Sequence, residues 1–141
     1  MRFLDVGVLL CVALKEPKIH VKGCTALLER LTVGPSGRSK ETVATTFLTH
    51  AVFYFLLENR EGLPRQRITD AMKALGRLGI KVLPLGNGGL VEEGAILAER
   101  LGIDFDDAVN AIVMRENEIH EIYALDKDYD KIGWVERVMP S

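Results

Sequence analysis

The chain has 141 residues, 48% of them hydrophobic and 27% charged, which suits one domain with a substantial core over residues 1–141 and leaves little room for long disordered regions. Its formal charge of −2 excludes the whole-molecule basic field of an indiscriminate nucleic-acid binder, so any nucleic-acid contact must be local. The N-terminal apolar run Val6 to Leu14 is too short to span a bilayer and has no small-residue cleavage site after it, so a soluble, cytoplasmic protein without a membrane role is expected.

Arg2 to Val8 is a short apolar stretch enclosing one carboxylate and reads as a buried strand ending near Asp5 to Val8, with a helix after it. Glu16, Pro17 and Lys18 break that helix, and His20 to Leu31 resumes a helical apolar period. The loop Gly34 to Lys40 punctuates the chain. Thr42 to Thr46 is β-branched enough for a strand, and Thr45 or Thr46 can cap the helix from Phe47 to about Arg60. Ile68 to Leu78 is amphipathic, Ile80 to Leu85 a strand, and Leu90 to Leu101 a helix closed by Gly102. Asp104 is placed to cap a helix from Phe105 to about Asn117, followed by a strand at His120 to Leu125 and a last one at Trp134 to Met139. This alternation predicts an α/β sandwich with a mostly parallel sheet, whose ligands bind at the carboxyl ends of the strands.

Charge is divided unevenly along the chain. Residues 1–91 hold 13 Lys and Arg against 7 Asp and Glu, while residues 92–141 hold 5 against 13. Asp5 at the end of the first strand, Asp107 in the first turn after Asp104, and Asp126 after the strand at 120–125, with Asp128 close behind, belong at one edge of such a sheet. Carboxylates about 5 Å apart repel by roughly 3 kcal/mol per pair at an effective dielectric near 20, so the group requires protons or a cation. Oxygen-only ligands favour Mg²⁺ or Mn²⁺ over zinc, and such an ion can activate water and stabilise charge on a phosphodiester.

Simpler roles compete for some of these acids. Asp104, Asp106 and Asp107 can all serve the positive end of a helix, and for Asp104 capping is the better account. A calcium loop at Asp126, Asp128 and Asp130 fails, because Lys131 stands where the turn needs Gly and Arg137 where it needs Glu. A phosphatase Asp-x-Asp fails at Gly7, and Gly86 to Gly89 lacks the lysine of a phosphate loop. Three scattered histidines and two cysteines, Cys11 and Cys24, make no zinc site, and the cysteines read as reduced core residues. The apolar run Phe53 to Leu57 fits core or a dimer face. Arg60, Arg65, Arg67 and Arg77, with Lys73 and Lys81, form a basic stretch that suits an ordinary solvated face or a phosphate backbone, and these four arginines are the candidate RNA contacts.

Phe3-Leu4-Asp5 with Val8-Leu9-Leu10, Thr45-Thr46-Phe47-Leu48-Thr49, Asp104 to Ala108, and Ile122 to Tyr129 together resemble a PIN domain of the VapC-like kind over nearly the whole chain. The resemblance implies a three-layer α/β/α fold and a ribonuclease dependent on Mg²⁺ or Mn²⁺. It further implies dimerisation and an antitoxin partner. By motif, Asp5, Asp107 and Asp126 are the catalytic acids at the metal, with Asp128 auxiliary. The sequence departs from the pattern at four places: Val6 and Gly7 replace Thr and Asn, Val52 stands where a glutamate is expected, and Ala124 replaces Thr or Ser. Glu58 lies roughly 120° round the helix from Val52 and does not substitute. Losing such groups commonly costs on the order of 10- to 100-fold each. The expected activity is therefore an endoribonuclease, active or attenuated, and the alternative is an inactive PIN-like module that binds RNA or protein.

Overall fold

Phe3 and Leu4, successive residues of the central strand, are both fully buried yet belong to two separate apolar cores. Side chains alternate across a strand, so a strand buried on both faces needs helices on both sides. The computed structural model describes residues 1–141 and shows this arrangement. Its elements are β1 (Arg2–Leu4), α1 (Val6–Leu14), α2 (Lys18–Leu31), β2 (Val43–Thr46), α3 (Phe47–Asn59) and α4 (Arg65–Leu75). They continue with β3 (Ile80–Leu83), α5 (Gly89–Leu101), α6 (Phe105–Glu116), β4 (Glu121–Tyr123), a 3-10 turn (Lys127–Lys131) and β5 (Glu136–Val138).

The five strands lie in the order β3-β2-β1-β4-β5, and every pairing is parallel. One face carries α5 and α6, through Leu90, Val109, Ile112 and Val113; the other carries α1 to α4, through Val8, Leu27, Phe53 and Ile68. The fold is thus the expected α/β/α sandwich, with a fully parallel sheet. The chain reverses direction at β1: β2 and β3 lie to one side of it, β4 and β5 to the other. Such a switch opens a crevice at the carboxyl edge. No helix is long and apolar enough to cross a membrane.

Several boundaries differ from the sequence reading. The first strand stops at Leu4, because Asp5 caps α1 and the apolar run from Val6 is helical. Apolar at nearly every position, that run shows no change of period where strand becomes helix. Neither Thr45 nor Thr46 caps α3: the Thr45 hydroxyl donates to the Leu4 carbonyl at 3.0 Å and that of Thr46 to Asn110 Oδ1 at 2.6 Å. Asp104 occupies the cap position of α6 without a side-chain bond. Helix α4 begins at Arg65, three residues early, on a polar first turn that Pro64 introduces. Gly102 does close α5, at φ 65°, a left-handed conformation that favours glycine. Cys11 and Cys24 are buried and unbonded as disulfide, and of the apolar run in α3, Phe53 and Leu57 are core while Phe55 is 60% exposed.

Candidate active site

Asp5 follows β1 directly and its backbone is extended. Its Oδ2 accepts the Gly7 amide at 3.0 Å, satisfying one of the free donors at the start of α1. Asp107 lies in the first turn of α6 beside Asp106, where the helix dipole favours negative charge. Tyr129 joins the two. Its hydroxyl is 2.8 Å from Asp5 Oδ1 and 2.9 Å from Asp107 Oδ1. The turn that carries Tyr129 is in turn capped by Asp126, whose Oδ1 accepts the Asp128 amide at 2.9 Å. Strand β1, the start of α6 and the segment after β4 thus deliver Asp5, Asp107 and Asp126 to the carboxyl edge.

Asp5 and Asp107 are only 4% and 5% exposed, Asp106 is half-buried and Asp126 is exposed. None of the four has a lysine, arginine or histidine in an ion pair. Burial therefore pushes the Asp107 carboxyl up to about 8, and the charges of Asp5, Asp106 and Asp126 add to it, against the Tyr129 bond. Burial likewise pushes Asp5 up to about 6, although the bonds from Tyr129 and Gly7 pull it down. Asp106 is raised as well, first by burial and then by Asp104 and Asp126. The oxygens of Asp5 and Asp107 that share one hydroxyl can lie at most about 5.7 Å apart. Two full charges at that distance repel by roughly 3 kcal/mol at an effective dielectric of 20. A phenol carries one proton, so both short contacts are satisfied when a protonated Asp107 donates to the Tyr129 oxygen and Tyr129 donates to Asp5.

Without a cation this site holds protons; with one it has no need of them. Its donors are all carboxylate oxygens, and Asp104, Asp106 and Asp107 present oxygens within 4.8 Å of one another. Graded from the buried Asp107 through the half-buried Asp106 to the exposed Asp104, and free of nitrogen or sulfur, the set fits a hard divalent ion and suits Mg²⁺ and Mn²⁺ alike.

Other candidates are placed less centrally. Asp128 turns away to Lys131, with Oδ1 3.0 Å from Nζ, and does not join the buried acids. A cleft of about 720 Å³ opens beside Gly7 and Asp126, with Leu10 and Leu125 on its floor and Lys18 and Arg60 among its lining residues. Of the acids of the site, Asp126 alone lines this cleft, together with Arg60, which lies 3.8 Å from Glu61. Arg65 is exposed and 3.5 Å from Glu58, and Arg67 is exposed in the first turn of α4. Arg77 corrects the grouping of the four. It follows α4 and precedes β3, and its carbonyl accepts the Val33 amide, so it sits at the amino edge of a parallel sheet, opposite the acids.

Two residues of the site, Tyr129 and Asn110, have no role in the sequence reading, and Asp106 has only that of a helix-end acid. Asn110 is in fact 2% exposed, accepts from Thr46 and donates to Thr49 Oγ1 at 2.9 Å, one turn beyond Asp107. The i, i+3 spacing of Asp107 and Asn110 was the available signal for a polar inward face.

No protein-family model matches the chain, and no curated protein does. Solved structures do. VapC20 of Mycobacterium tuberculosis, a sarcin-ricin loop cleaving toxin, superposes with a TM-score of 0.73 at 21% identity, over 99% of this chain and 100% of its own. VapBC2 of Rickettsia felis, bound to a DNA fragment from its promoter, gives 0.66 at 10% identity, over 99% and 98%. PAE2754 of Pyrobaculum aerophilum gives 0.56 at 18% identity, over 97% and 88%. The fold of this chain is the VapC-like PIN fold.

Proposed function

We propose that this chain is a divalent-metal-dependent endoribonuclease that hydrolyses RNA phosphodiesters and serves as the toxin of a toxin–antitoxin pair. The observation that carries the reading is the pair Asp5 and Asp107: two buried carboxylates without a cationic partner, at the carboxyl edge of a sheet with the VapC fold. A folded protein keeps such a pair at a cost, and a site that binds cations gives the cost a use. VapC20 cleaves RNA at the sarcin-ricin loop, and VapBC2 binds DNA from its promoter. RNA is accordingly the proposed substrate, and an antitoxin protein and a second copy of the chain are the proposed partners, in the cytoplasm.

Asp5, Asp107 and Asp126 would hold Mg²⁺ or Mn²⁺, with Asp106 beside them. An ion held there would supply water activation and offset the negative charge growing on the phosphate oxygens. Asp5 and Asp107 would act as fixed, ionised ligands, oriented by Gly7 and Tyr129. Arg60 and Lys18 in the adjoining cleft would hold the RNA backbone through its phosphates. Asp128 takes at most an auxiliary part through its amide, which closes the turn that Asp126 caps.

A second reading, a PIN-like module that binds RNA or protein without cutting, is favoured by Val52 and Ala124, which offer no side-chain oxygen at two positions where the family has one. One experiment separates them: cleavage of a labelled single-stranded RNA panel with Mg²⁺, Mn²⁺ or EDTA, beside Asp5→Asn prepared identically. Metal-dependent cutting lost in the variant is expected. Equal behaviour of the two proteins, at enzyme concentrations comparable to the RNA, sinks the nuclease and leaves the binding module.

A further inference from the structure

Tyr129 is fully buried in the core between the sheet and α6, and a phenylalanine would fill the same volume. Only the hydroxyl reaches the acids. Asp5 and Asp107 lie on elements more than 100 positions apart, and Asp107 accepts no other side-chain hydrogen bond. Asp5 has one more, from Gly7 within its own turn. Tyr129 is thus the one side chain within hydrogen-bonding distance of both carboxyl groups. The ring is clamped by the core around it, so the hydroxyl cannot swing aside without displacing Tyr129 as a whole. The turn that seats it is closed by Asp126, so a single phenol ties together groups from three parts of the chain.

We propose that Tyr129 is the positioning residue of the metal centre: its hydroxyl, 2.8 Å from Asp5 Oδ1 and 2.9 Å from Asp107 Oδ1, fixes the place of both ligands and donates its one proton to one ionised carboxylate at a time. The inference rests on the metal-binding reading above and deepens it. Side chains that orient metal ligands from behind commonly contribute about 10- to 100-fold to metal affinity.

The test compares wild-type protein with Tyr129→Phe. Mn²⁺ affinity is measured from the electron-paramagnetic-resonance signal of the free ion, and both metal-free proteins are melted. The variant is expected to keep its unfolding transition and to bind Mn²⁺ about 10- to 100-fold more weakly. Its RNA cleavage is expected to need more Mn²⁺ yet approach the wild-type kcat at saturation, a split that mere loss of stability does not produce. A second measurement needs no variant fold. Mg²⁺ added to wild-type protein should perturb the near-ultraviolet absorption of tyrosine, because an ion on Asp5 and Asp107 changes the hydrogen bonding of Tyr129. In Tyr129→Phe, Tyr54 and Tyr123 should give no such change. Equal Mn²⁺ affinities in the two proteins, or a wild-type tyrosine spectrum unmoved by bound Mg²⁺, overturn the inference and leave metal binding standing. A wild-type protein without measurable Mn²⁺ affinity overturns both.

Discussion

A Cβ placed on Gly7 would stand 3.0 Å from Asp5 Oδ2, the same oxygen that the Gly7 amide holds at 3.0 Å. The absence of a side chain at position 7 therefore lets the Asp5 carboxylate fold back over the first turn of α1. Gly7→Ala should shift that carboxylate by a few tenths of an ångström against the pull of Tyr129 and weaken Mn²⁺ binding several-fold. The helix itself gains about 0.5–1 kcal/mol from alanine, so overall stability should change little. Calorimetric titration with Mn²⁺ beside a urea melt reads both quantities, and an unchanged affinity would show that Asp5 accommodates the methyl group freely.

Stability of the metal-free protein should fall with rising pH. Asp5 and Asp107 ordinarily titrate near 3.8 but stand at about 6 and about 8 in the fold. Between these limits the folded chain binds protons that the unfolded chain has released, so stability declines as pH climbs through the window. The melting temperature should be lower at pH 8 than at pH 5 without metal, and Mn²⁺ should raise it more at pH 8. A metal-free melting temperature that climbs from pH 5 to pH 8 contradicts the assignment.

Asp5→Asn removes one of the repelling charges while keeping the shape. At pH 8 without metal it should melt above wild type, and Mn²⁺ should no longer raise its melting temperature. Scanning fluorimetry of the two proteins with and without Mn²⁺ shows the crossing directly. Wild type melting higher in both conditions would mean that the carboxylate is a structural cap and nothing more.

Asn110→Ala orphans the hydroxyls of Thr46 and Thr49 in a dry interior. Each hydroxyl that loses its partner costs about 1–3 kcal/mol, so urea unfolding should report a loss on the order of 2–6 kcal/mol. A loss under 1 kcal/mol would mean that the two threonines find new partners.

The sheet order was not written locally, but the elements that set it were. Strands with β-branched residues alternate with amphipathic segments, and a parallel sheet follows almost necessarily from that alternation. Asp5 stood out because a carboxylate inside an apolar run asks for a reason, and Asp107 because apolar residues follow it on the same helix. Tyr129 did not, since its importance lies in a bond to residues 124 and 22 positions away that no periodicity reports. The misplacement of Arg77 has a related cause. A run of basic residues in sequence crosses α4 from one end to the other, so its members separate to opposite edges of the sheet. Local composition shows how many charges there are, and only the path of the chain shows which of them face the same way.

The acids that meet at the carboxyl edge come from positions 5, 107 and 126, and the phenol that joins two of them from position 129. On a ribosome these residues emerge far apart in time. A growing chain that has already formed β1, α1 and β2 still lacks every hydrogen-bond partner of the Asp5 carboxylate except Gly7, and it remains so until the turn after β4 has been made. Contacts between distant positions also form late in folding, because the long loops between them must close first. A nascent chain whose residue 129 has not yet left the exit tunnel therefore has no complete centre.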